Sequence, residues 1–130
     1  MKMTPLQKEK AVRDILSEEF NIPLSKKSLV VGTKSNGRIK LHEFDCVSPD
    51  ESIVAEVKSN ELKTTPQKPN GRYFSAIKWA LLGDIYMLSR INASTKLLVL
   101  TNKPLFDLCS QDMDGILPQN TKIIHRTVKS

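Results

Sequence analysis

Residues 43–59, Glu-Phe-Asp-Cys-Val-Ser-Pro-Asp-Glu-Ser-Ile-Val-Ala-Glu-Val-Lys-Ser, constrain the fold more than any other stretch of this chain. Two apolar runs flank the turn formers Ser48-Pro49-Asp50-Glu51-Ser52, so the stretch reads as a β-hairpin. Side chains alternate between the faces of a strand, which sends Glu56 and Lys58 to one face and Ala55 and Val57 to the other. The turn brings Asp45 back beside them. Two carboxylates and an ammonium then share a small patch of a sheet that the rest of the chain is able to bury. Such a cluster is costly unless something compensates it. A divalent cation with hard oxygen ligands, Mg²⁺ or Mn²⁺, would compensate it. The plainer reading is a surface salt bridge of Lys58 with Asp45 or Glu56.

At 130 residues, 39% hydrophobic and 26% charged, the chain is expected to form one soluble globular domain spanning residues 1–130. No apolar run approaches the roughly 20 residues that cross a bilayer. The opening Met-Lys-Met-Thr-Pro-Leu-Gln-Lys-Glu-Lys has no apolar signal-peptide core, so a cytoplasmic location and no membrane partner are expected. Cys46 and Cys109 are isolated, without metal-ligand spacing, and read as reduced, packed thiols. The net charge of +6 biases the molecule toward polyanions. No acidic residue follows Asp114, whereas Lys122, Arg126 and Lys129 do.

Along the chain, Thr4 and Pro5 open a helix over 5–20, closed by Asn21 and Pro23. Leu6, Ala11, Val12, Ile15, Leu16 and Phe20 form its apolar stripe. Glu9 and Glu19 both lie in line with that stripe, and spacing does not choose between them. Strands follow at 28–33, 38–47 and 52–59, the first two joined by the Ser35-Asn36-Gly37 turn. The alternation in 38–47 is imperfect: Ile39 and Leu41 share one face, Phe44 and Cys46 the other. A bend near His42 and Glu43 would repair it. Residues 60–71 read as a loop whose Lys63 and Lys68, with Arg72 just beyond, can contact phosphates or simply be solvated. The longest helix is expected over 73–91. Its Ala76, Ala80 and Gly83 suit close packing on a sheet, and Trp79 and Tyr86 are expected in the core. Lys78 is the exception, a cation that can project toward the carboxylates. Lys96–Thr101 is an apolar run suited to a central strand covered on both faces. A short helix over 104–111 and a strand over 122–128 complete an α/β chain with a mixed sheet and helices on both faces. His42 and His125 are lone histidines and read as structural.

With Asp45 followed by ten residues and then Glu56-Val57-Lys58, the chain resembles the PD-(D/E)xK nuclease superfamily, in particular its archaeal Holliday-junction-resolvase-like branch. The similarity covers roughly residues 5–102, in the order helix, three strands, helix, strand. It implies a restriction-endonuclease-like αβββαβ core, with the last helix and strand as a C-terminal αβ extension. In that branch a glutamate of the first helix joins the site, and Glu9-Lys10-Ala11-Val12 with Ile15-Leu16 fits its context, which favours Glu9 over Glu19. The proline that precedes the family's aspartate is replaced here by Phe44.

What the resemblance implies is a metal-dependent DNA endonuclease, possible roles lying in repair, recombination or defence. Asp45, Glu56 and the Val57 carbonyl would hold Mg²⁺ or Mn²⁺. Asp45, Glu56, Lys58 and Glu9 would be catalytic, with Lys58 orienting the attacking water or offsetting charge on the phosphate. Lys63, Lys68, Arg72 and Lys78 are the candidate DNA contacts. DNA, including branched DNA, is the expected partner, with a homodimer or larger complex left open. The alternative is a non-cleaving nucleic-acid-binding module or accessory subunit on the same fold.

Overall fold

The computed structural model of the chain describes residues 2–62 and 76–129. Its elements run α1 (Pro5–Phe20), β1 (Ser25–Thr33), β2 (Ile39–Val47), β3 (Ile53–Lys58), α2 (Lys78–Ser89), β4 (Thr95–Leu100), α3 (Lys103–Met113) and β5 (Thr121–His125). The five strands form one mixed sheet in the order β1-β2-β3-β4-β5. β1, β2 and β3 are an antiparallel meander, and β4 and β5 join β3 in parallel. Helices cover both faces of this α/β sheet.

Local chemistry explains where α1 begins and ends. Thr4 Oγ1 accepts from the Gln7 amide (3.2 Å) while Gln7 Oε1 accepts from the Thr4 amide (2.8 Å), a reciprocal capping box with Pro5 inside the first turn. Asn21 closes the helix in the left-handed region at φ 54°. Only Val12 and Leu16 of α1 are fully buried. The expected stripe is shorter than its apolar residues suggest: Leu6 is 69% exposed and Phe20 lies at the surface, because α1 meets the sheet only through its middle turns.

Two cores sandwich the sheet. On the α1 side Val12 and Leu16 pack with Leu24, Cys46, Ala55, Val57 and Val99. On the other side Leu81, Ile85 and Leu88 of α2 and Leu105 of α3 pack with Phe44, Val54 and Leu98. β3 and β4 are buried on both faces, as expected for 96–101. Cys46 and Cys109 are both buried, on opposite sides of the sheet.

Several expectations for α2 do not hold. Within the described residues the helix proper begins at Lys78 and ends at Ser89; residues 73–75 lie outside them. Trp79 is 71% and Tyr86 59% exposed, and Ala76, Ala80 and Gly83 also face outward. The residues of α2 that are fully buried against the sheet are Leu81, Ile85 and Leu88. Apolar residues around a helix do not by themselves say which side a sheet will cover.

Candidate active site at the opening of the central hairpin

The Ser48–Ser52 turn is built by one carboxylate. Asp50 Oδ1 accepts from Ser48 Oγ (2.8 Å), Ser52 Oγ (2.7 Å) and the Ser52 amide (3.0 Å). These hydrogen bonds hold its carboxyl down at about 2. From the turn, β2 and β3 pair through Val47↔Val54 and Cys46↔Ala55, and the ladder stops there. Side chains take over where backbone pairing ends. Asp45 Oδ2 accepts from the Val57 amide (2.7 Å), and Glu56 Oε1 accepts from the Asp45 amide (3.3 Å). The hairpin is therefore open where its two carboxylates stand.

A β-bulge helps to aim Asp45. Against β1, Val47 pairs with Ser25 but Phe44 with Lys27, so β2 carries one extra residue between them. A second register shift lies on β1 at Val31, against Lys40 and Leu41. Within β2 the extra residue is at 45–46, not at His42 and Glu43 as the sequence suggests. Its consequence is that Phe44 and Cys46 do not share a face: Phe44 joins the α2 side and Cys46 the α1 side. Both can be buried only if the alternation slips between them.

On the α2 side, Lys58 Nζ lies 3.3 Å from Asp84 Oδ2 of α2. That buried oxygen has no aligned hydrogen bond, so the contact is an ion pair only. His42 Nε2 lies 3.3 Å from Glu56 Oε2, an ion pair only when the imidazole is protonated. Its ring stands edge-on to Phe44 at 4.6 Å. His42 thus touches a predicted site residue, although a lone histidine gave no reason to include it. Asp84 was also legible only in part: it is the one acid between residues 76 and 89, three after Leu81 and four before Leu88, in line with the buried stripe.

On the α1 side, Glu9 Oε1 meets Lys26 Nζ at 2.6 Å and Arg13 Nη1 at 3.6 Å. Arg13 Nη1 also donates to the Asp45 carbonyl (3.0 Å), tying α1 to the bulge. Glu9 is close enough for its charge to raise the Asp45 pKa. Glu19 is elsewhere, held by Arg126 through contacts of 2.7–3.1 Å. The structure thus sets Glu9 on the Asp45 side and Glu19 about 15 Å further along the helix.

Burial dominates the electrostatics. It pushes the Glu56 carboxyl up to about 9, with repulsion from Asp45 and Asp84 adding to it and the Asp45 amide and Lys58 opposing. Asp45 is raised to about 6 by burial, against the lowering effect of the Val57 amide. Asp84 is raised too, chiefly by burial and in spite of Lys58. Burial, with mutual repulsion added, raises all three carboxyls of this poorly solvated gap.

Other predicted residues fall outside this gathering. Lys78 sets its ammonium 3.2 Å from Asp112 of α3. Lys63, Lys68 and Arg72 lie outside the described residues. Val57 enters the site through its N–H, donated to Asp45, and its side chain is buried on the α1 side. Among the described residues no three His, Cys, Asp or Glu side chains are already arranged as a ligand cage for a metal ion. Comparison with protein-family models, curated proteins and solved structures finds no match.

Proposed function

We propose that the chain is a metal-dependent nuclease of the PD-(D/E)xK type, acting on DNA. The observation that carries this reading is the open hairpin, where Asp45 and Glu56 meet with Lys58 and Asp84 against them. The order of elements, with a three-strand meander extended by parallel β4, agrees with a restriction-endonuclease-like core.

A divalent cation fits the donor chemistry. The gap holds hard oxygen donors whose carboxyls burial raises above their ordinary range, and Asp84 Oδ2 is a buried acceptor without an aligned donor. Asp45 and Glu56 would hold Mg²⁺ or Mn²⁺, with Asp84 and the Val57 carbonyl as further oxygens. When bound, such an ion offsets phosphate charge and makes a nearby water more acidic. The protein's own groups do the rest. Lys58, steadied by Asp84, presents an ammonium to a phosphate oxygen or to the attacking water. Arg13 fixes the bulge that aims Asp45. Glu9, braced by Lys26, adds negative charge at the α1 edge, where it positions water.

One observation favours a second reading, a nucleic-acid-binding module that does not cut: the carboxylates do not yet form a cage. A single experiment separates the two. Branched, linear and single-stranded DNA are incubated with the protein, with and without Mg²⁺ or Mn²⁺. Cleavage that needs the metal and is lost in Asp45→Asn and Glu56→Gln is expected. Binding without cleavage selects the second reading, and cleavage undiminished in Glu56→Gln would remove the site from the chemistry.

A further inference from the structure

β2 pairs with β3 only at Cys46 and Val47 but with β1 as far as Ile39. Its first half is therefore a two-stranded ribbon reaching away from the hairpin turn. The ribbon closes at Lys34–Arg38, where the Lys34 amide donates to the Arg38 carbonyl (2.7 Å) and Gly37 takes φ 86°. Along β2, Phe44 packs under α2, His42 reaches Glu56, and Lys40 lines a cleft with Tyr86 of α2. Alternate residues share a face, so the side of β2 that bears His42 at the site bears Lys40 at the cleft, about 7 Å further along the strand.

This cleft has a volume of about 330 Å³, and its lining includes Gly32, Lys34, Lys40, Tyr86, Met87 and Arg90. Among the described residues no carboxylate lines it. Among the described residues Lys34, Lys40 and Arg90 have no ion-pair partner, whereas Lys26, Lys27 and Lys58 all do. Arg90 Nε donates to the Val31 carbonyl (2.9 Å), which fixes its guanidinium at the cleft wall. Tyr86, 59% exposed, offers a ring beside the three cations. The larger hollow at the start of α1 differs in kind, since its lining includes Asp14, which Lys10 already neutralises.

Uncompensated cations beside an exposed aromatic ring match the two recurring parts of a nucleotide, a phosphate and a flat base. We infer that the cleft is a second nucleic-acid position: Lys34, Lys40 and Arg90 take a backbone phosphate, and Tyr86 stacks an unpaired base of a strand that continues from the carboxylate site along the His42–Lys40 face. The inference rests on the nucleic-acid reading above and adds a preference for substrates with a single-stranded or unpaired segment. Trp79 lies two turns away on α2 and lines no part of this cleft.

The test is fluorescence anisotropy of the full chain in EDTA, with fluorescein-labelled forked DNA and blunt duplex of equal length. Tyr86→Ala is expected to weaken the forked DNA about tenfold and the blunt duplex far less, with Tyr86→Phe restoring affinity. Lys34→Glu with Lys40→Glu should flatten the dependence of log K on log salt by about 0.7 for each single-strand phosphate that is no longer neutralised. Trp79→Ala should leave forked-DNA affinity intact, and thermal melts of all variants should match wild type. Wild type that binds and cleaves DNA, with Tyr86→Ala and the double variant equal to it, overturns the cleft and leaves the function standing. Wild type that neither binds nor cleaves any DNA removes both. Loss in the double variant of binding to polyglutamate or anionic vesicles, with DNA binding intact, overturns the cleft in favour of another polyanion.

Discussion

Glu56 retains its proton up to about 9 in the folded protein, while in the unfolded chain the same carboxyl titrates near its ordinary 4.5. Between those values the native state holds a proton that the unfolded chain has released. Stability of the metal-free protein therefore falls as pH rises through this window, by at most about 1.4 kcal/mol per pH unit for one group. Asp45 adds a loss of the same sign between 3.8 and about 6. Thermal melts in EDTA should show the midpoint declining from about pH 5 to about pH 8. Glu56→Gln should flatten that decline and stabilise the protein near neutral pH by on the order of 1–3 kcal/mol; an unaltered profile would mean that Glu56 is not the group responsible. Mn²⁺ should raise the midpoint more at the higher pH, where the ligands lose protons more readily. Lys58→Ala is expected to reduce metal-dependent cleavage about 10²-fold or more while sparing DNA binding. Equal activity in that variant would take Lys58 out of the mechanism.

At the scale of elements, α1 shows how far local signals reach. Its start was legible in Thr4 and Pro5, and the capping box places it at the expected residue. Its buried face was not fully legible, because six apolar residues at helical spacing do not reveal where a helix overhangs its sheet. Leu16→Ala, at a site with no exposure, should cost about 2–5 kcal/mol in urea unfolding. Leu6→Ala should change stability by less than about 0.5 kcal/mol. Similar losses from both would show that α1 packs along its whole length. The same reasoning explains Trp79 and Tyr86. α2 is apolar on most sides, so periodicity alone suggested burial, yet the sheet covers one stripe and leaves both rings outside. The bulge in β2 was anticipated from broken alternation but misplaced by about two residues. Both Phe44 and Cys46 are apolar, and only the two cores show that they face opposite ways.

For the whole molecule, a net charge of +6 coexists with a gap lined by the carboxyl groups of Asp45, Glu56 and Asp84. Cations on the ribbon and at the end of α2 can draw a polyanion toward carboxylates that would otherwise repel it. DNA affinity measured against salt should fall with a slope of about −0.9 per duplex phosphate contacted. A salt-insensitive affinity would count against any phosphate-led interface. No helix among the described residues is long and apolar enough to cross a membrane.

The sequence by itself determined the order of the elements, the cap of α1, the doubly covered β4, and the hairpin that returns Asp45 to the side of Glu56. Those features follow from periodicity, capping and turn chemistry, which act over a few residues. Tertiary structure alone decided which groups complete the gap. Arg13 reaches Asp45 across 32 residues, His42 meets Glu56 across 14, and Asp84 comes to Lys58 from a separate helix. Such contacts depend on how helices cross a twisted sheet and where its ladder opens. Many side chains fix that geometry together, and no single stretch of sequence encodes it.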